Sequence, residues 1–259
     1  MWRWFKWVLI GILVIIIMML VYTYWRLVYN VQFHGQELAQ AEKTIAAGIT
    51  IIDQENDFVI MEQNGEKPNE NNPSPYRLPV VDIKKMQVGS DGKYLYIKIT
   101  FYDSIPKSAP SVNGDKIEGL GAKIDFLDKP LGNNLAVLHL DFGWWPILNV
   151  PVANVYYSTG PTGIEWPESA RFTTENRDSK ISGGAGYDYI LAAYPLKTLK
   201  LKSGDTINID MQTEAKSAKW DHAAVDVLQG KGKMPGLISW VIGSGNYSID
   251  NEEHYFSDH

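Results

Sequence analysis

From Trp7 to Trp25 the chain carries no charged residue. As an α-helix this stretch is about 28 Å long, close to the ~30 Å thickness of a bilayer's hydrocarbon core. Trp2, Trp4, Phe5 and Trp7 crowd one end, and Tyr22, Tyr24, Trp25 and Tyr29 crowd the other. Aromatic rings of this kind settle at membrane–water interfaces. A cleavable signal peptide has a shorter apolar region followed by small residues at the cleavage site, and after Tyr22 such residues are missing. The sequence therefore predicts an uncleaved transmembrane anchor over residues 1–29, in contact with lipid through residues 7–25. Arg3 and Lys6 precede the run and Arg26 follows it. That bias favours a cytoplasmic N-terminus and a single-pass protein whose remaining residues are extracytoplasmic.

The charge balance then excludes one class of partner. Without Arg3, Lys6 and Arg26, the 24 Lys and Arg fall to 21 against 30 Asp and Glu. An acidic ectodomain with no basic stripe is a poor match for nucleic acid. Cysteine is absent, which excludes disulfides, thiolate zinc sites and a cysteine nucleophile.

Beyond the apolar run, Leu27, Val31, His34, Leu38, Ala41 and Ile45 recur at spacings of four and three, with Gly48 placed to end a helix. This predicts a helical stalk over residues 30–48, serving either as a short oligomerising seam or as a helix packed on its own domain. From residue 49 the pattern changes to period two. Strands are expected near 49–52, 58–62, 80–88, 93–102, 121–127, 135–141, 152–157, 187–194 and 206–212, bounded by Gly, Pro, Asn and Asp. In VGSDGKYLYIKITFYD, Ser90-Asp91-Gly92 supplies a turn. Tyr94, Tyr96, Lys98 and Thr100 then alternate with Leu95, Ile97, Ile99 and Phe101, so one face must meet a core. NGEKPNENNPSPYRLP, residues 64–79, reads as a surface loop. Many short strands without βαβ alternation indicate an all-β fold: an antiparallel β-sandwich ectodomain over 49–250, with a polar tail over 251–259.

Three segments carry a family resemblance. ITIIDQENDF (49–58) resembles the first strand of carbohydrate-binding sandwiches. VDIKKMQVGSDGKYLYIKITF (81–101) resembles their hairpin, and YDYILAAYPLKTLKLKSGDTINIDM (187–211) resembles the tract near their end. In this order they are similar to family 9 carbohydrate-binding modules and the related DOMON-like domains, including those of glucodextranase-type enzymes. The sequence departs from that pattern at Phe58, where tryptophan is usual, and at Ile52, an extra residue before Asp53. The resemblance implies a sandwich that binds sugar without chemistry. It also implies that Asp53, Asp57 and Asp82 lie near a structural calcium ion; turn carboxylates capping backbone amides are the alternative.

Sugar recognition requires aromatic faces and fixed polar groups. Trp144, Trp145, Tyr156, Tyr157 and Trp166 are the candidates, in a tract dense with Gly and Pro. Adjacent residues of a strand face opposite ways, so Trp144 and Trp145 cannot share a surface if the strand runs through both. Pro146 is expected to end it. No G-x-S-x-G, H-E-x-x-H, P-loop or G-x-G-x-x-G motif is present, so catalysis has no sequence support. Two readings follow. One is a non-catalytic, membrane-anchored module holding a glycan or glycan-bearing partner at the cell surface. The other is an assembly subunit of a cell-envelope complex or filament, in which the helix 8–47 and the aromatic tract meet a second copy or another envelope protein.

Overall fold

A computed structural model describes residues 2–24, 32–55, 57, 59–60, 82–107, 111–112, 115–127, 134–145, 150–159, 180–184, 186–197, 199–217, 224–229 and 236–250, some of them by backbone alone. Two helices precede the strands, α1 (Trp2–Tyr24) and α2 (Gln36–Ala46). The first half of the sandwich contains β1 (Ile49–Ile52), β2 (Val59–Ile60), β3 (Ile83–Ser90), β4 (Tyr94–Phe101), β5 (Ser111–Val112), β6 (Asp115–Leu127) and β7 (Asn134–Trp145). The second contains β8 (Val150–Thr159), β9 (Lys180–Gly183), β10 (Tyr189–Pro195), β11 (Thr206–Ser217), β12 (Ala224–Val227), β13 (Leu237–Val241) and β14 (Tyr247–Asp250).

These strands form two antiparallel sheets. One has five strands in the order β1-β3-β4-β10-β9. The other has nine: β14-β13-β11-β6-β7-β8 runs along it, β12 joins β11 to β2, and β5 pairs with β6. The all-β sandwich expected from period-two patterning is thus present. Leu95, Ile97, Ile99 and Phe101 of β4 point inward as their alternation requires, and meet Ile49, Ile51, Met86, Val88, Ile190, Ala192 and Tyr194 of the same sheet. Ala122, Ile124, Ile207, Ile209, Met211, Ile238 and Trp240 close the core from the other sheet. Trp240 is 1% exposed and donates its indole N–H to the Ser244 carbonyl at 2.9 Å, so the polar end of a buried ring is satisfied. The 90–94 turn is fixed by Asp91, whose Oδ1 accepts the Lys93 and Tyr94 amides at 2.9 and 2.8 Å.

The stalk differs from expectation. The seam from Leu27 to Ile45 is not one helix, because Gln32 forms a parallel bridge with Ile181 and Gly35 takes φ +48 before α2 begins. α2 then packs across the outer face of the five-stranded sheet. Ala41 and Ile45 are buried there with Tyr96, Leu191 and Ala193, framed by Phe33, Leu38, Tyr94 and Tyr189. Close approach depends on glycine: a Cβ at Gly89 would stand 2.5 Å from the Thr44 carbonyl oxygen.

The side chains of α1 are described from Lys6 to Tyr22, and all are exposed. That stretch is about 26 Å long, and among the described residues no helix is long and apolar enough to cross a membrane. The expected span of 7–25 runs past the last described side chain. Residues 64–79, the tail 251–259, Phe58, Trp166 and Trp220 lie outside the described residues.

Candidate functional site

Beneath one end of the sandwich, the fold gathers carboxylates from distant parts of the chain. Asp53 follows β1, Asp57 lies just before β2, Asp82 precedes β3, and Asp226 sits in β12. The pairing of β12 with both β2 and β11 draws position 226 toward 53 and 57. Carboxylate oxygens of Asp53, Asp57 and Asp226 lie within 4.8 Å of one another. Asp53, Asp82 and Asp226 are 5%, 1% and 1% exposed.

Each is held in place from several directions. Asp226 accepts the Ile83 amide at 2.6 Å and its neighbour Val227's amide at 2.9 Å. Asp53 Oδ1 accepts the Gln229 amide at 2.9 Å, and its backbone amide donates to the Lys84 carbonyl at 3.1 Å. Gln229, at φ +51, also donates its side-chain amide to the Ile52 carbonyl. On the other side, the Tyr102 amide donates to the Asp82 carbonyl at 3.1 Å and its hydroxyl to the Asp53 carbonyl at 3.3 Å. Among the described residues, Asp53 Oδ2 and Asp57 Oδ1 are buried and accept no hydrogen bond.

Burial dominates the electrostatics. Loss of water, then the charges of Asp57 and Asp82, pushes the Asp53 carboxyl up to about 6 against the opposing Gln229 hydrogen bond. Burial, then the charges of Asp57, Asp53 and Asp82, pushes Asp226 up to about 8. Burial also raises Asp57. Such a cluster either takes up protons or binds a cation. Hard oxygen ligands 2.3–2.6 Å from a common ion lie at most about 5 Å apart. The spacing here, the two unsatisfied oxygens and the all-carboxylate donor set fit Ca²⁺.

The sequence reading named Asp53, Asp57 and Asp82. The structure brings the first two together with Asp226, and leaves Asp82 as a buried neighbour whose charge acts on Asp53 and Asp226. Asp226 was missed: AAVDVLQG shows a single acid among apolar residues, with no ligand spacing.

The aromatic candidates are placed by backbone register. β7 continues through Trp144 and Trp145, opposite Pro151 and Val150 of β8; Pro146 lies outside the described residues. In the pairing of β7 with β6, Leu138 stands opposite Ile124, a core residue. Tyr157 stands opposite Leu138 and Tyr156 opposite His139. Along the strand, Trp145 and Tyr156 are about 20 Å apart.

The sequence matches no protein-family model and no curated protein. Among solved structures, a carbohydrate binding module family 9 from Caldicellulosiruptor kristjanssonii in complex with cellotriose is 13% identical, at a TM-score of 0.33 over 69% of this chain and 78% of that one. The same organism's module in complex with glucose is 12% identical, at 0.33 over 69% and 80%. At this identity and superposition the likeness carries no argument about ligand, site or chemistry.

Proposed function

We propose that this chain is a membrane-anchored, extracytoplasmic β-sandwich that holds a glycan or glycan-bearing partner without transforming it. The observation that carries the reading is where the resembling segments fall. Residues 49–58, 81–101 and 187–211 supply β1, β3, β4 and β10, which are consecutive neighbours in the five-stranded sheet, together with the first half of β11 in the other sheet. Segments recognised separately in the sequence thus build one contiguous unit of the fold. Three of the four carboxylates are buried and Asp57 is half-buried, so in this reading the cluster holds Ca²⁺ as a structural ion. Asp53, Asp57 and Asp226 would be the ligands, and the ion's charge would offset theirs.

The anchor rests on the apolar run 7–25 and on α1, whose described side chains from Lys6 to Tyr22 are all exposed. Apolar surface of that extent calls for lipid or a partner. The assembly reading loses part of its helix 8–47, because the apolar face of α2 packs on its own sheet.

The test is glycan-array binding by the full chain in lipid nanodiscs. Binding to at least one glycan class is expected, falling tenfold or more in Trp145→Ala. Absence of binding across the array, or binding unchanged in both Trp145→Ala and Tyr156→Ala, would count against the reading.

A further inference from the structure

The described contacts of the domain begin well before its first strand. Gln32 bridges to Ile181, and the Phe33 amide donates to the Ile181 carbonyl at 3.3 Å. Phe33 stacks on Tyr96 with ring centroids 6.5 Å apart. α2 then crosses the sheet in steps. Glu37 reaches Lys180 of β9 at 3.7 Å, Glu42 reaches Lys98 of β4 at 2.8 Å, and Thr44 lies over Gly89 of β3. At its far end, a Cβ on Gly48 would stand 2.0 Å from the Val88 carbonyl oxygen. An 11-residue helix is marginal by itself in water, so the sheet is what keeps it folded.

We infer that α2 is a clamp that sets how far the domain can travel from the bilayer, an inference that rests on the anchored reading above. α1 ends at Tyr24 and the first docked residue is Gln32. Eight residues of chain span at most about 27 Å. With α2 released, the first fixed residue is Ile49. The tether then extends to about 65 Å if α2 stays helical, or about 85 Å if it does not. Docking shortens the reach two- to threefold. The ligand surface is then confined to the membrane-proximal layer, with its range set by the eight residues up to Gln32 rather than by the 25 up to Ile49.

The clamp is tested on the full chain in liposomes. A donor dye is placed at Lys202→Cys, an exposed position in a chain without other cysteines, and acceptor dyes on the lipid headgroups. Energy transfer is expected to fall by half or more in Ala41→Glu/Ile45→Glu, with the sandwich's thermal unfolding retained. Unchanged transfer in a folded variant overturns the clamp. If that pair unfolds the sandwich, Glu37→Lys/Glu42→Lys reverses both ion pairs without touching either core. A smaller loss of transfer, greatest at low salt, is then expected, and no loss overturns the clamp. Failure of the unmodified chain to float with liposomes would instead sink the anchored reading itself.

Discussion

Replacing Asp226 with Asn isolates the electrostatics of the acidic cluster. In the folded protein Asp226 is 1% exposed, and burial together with the neighbouring carboxylates pushes it up to about 8. In the unfolded chain it is an ordinary aspartate near 3.8. Without metal, folding near neutrality therefore takes up a proton. Because the folded pKa is the higher one, the associated stability is complete below pH ~3.8 and is lost as pH rises toward 8, by about 1.4 kcal/mol per pH unit. Asn is nearly the same size and keeps a carbonyl acceptor, but has no proton to take up. Between pH 5 and 7 the unmodified protein should thus lose about 3 kcal/mol more than D226N, an upper figure since the four carboxylates share their protons. For a domain of this size that corresponds to a difference of roughly 6–12 °C in Tm. The assay is thermal unfolding by circular dichroism at pH 5, 6, 7 and 8 with chelator. Asp53, pushed up to about 6, adds a loss below pH 6 in both proteins. Millimolar Ca²⁺ at pH 7 should raise the Tm of the unmodified protein and raise that of D226N much less, since a hard cation selects ionised carboxylates. Parallel pH profiles for the two proteins in chelator would refute the electrostatic argument, and equal Tm shifts with Ca²⁺ would refute the metal assignment.

Two further substitutions probe the scaffold. Ile97→Ala removes a side chain at 0% exposure in the middle of β4 and should cost about 2–5 kcal/mol of unfolding free energy by denaturant titration; a loss under 1 kcal/mol would mean the core is not packed as described. Gly89→Ala puts a Cβ 2.5 Å from the Thr44 carbonyl oxygen and should cost about 1–3 kcal/mol. Part of that cost should appear as faster hydrogen exchange in α2, and unaltered exchange there would show that the helix does not depend on this contact.

What the sequence disclosed was the side of each strand, and what it withheld was each strand's partner. Alternation in Tyr94–Phe101 told which side chains face inward, and Leu95, Ile97, Ile99 and Phe101 do. Nothing in the alternation says that β4 lies between β3 and β10. The resemblance of three segments hinted at such neighbours, and the segments proved adjacent. β6, β7 and β8 run longer than their patterns, since Gly119, Gly121 and Gly143 interrupt the apolar alternation without interrupting the ladder. α2 shows the converse. Its heptad-like seam was legible, but the break at Gly35 depends on a positive φ and on a bridge to Ile181, 149 positions away. The acidic site falls in the same class. Asp53 and Asp57 are visible as a local pair, whereas Asp226 joins them only through the pairing of β12 with β2. Trp144 and Trp145 lie between these cases. Their adjacency was legible, but their partners Pro151 and Val150 came only from the pairing of β7 with β8. Local chemistry therefore supplied the candidate groups, and long-range pairing decided which of them meet. That is why Asp226, which no local pattern singles out, is the residue whose substitution tests the acidic cluster.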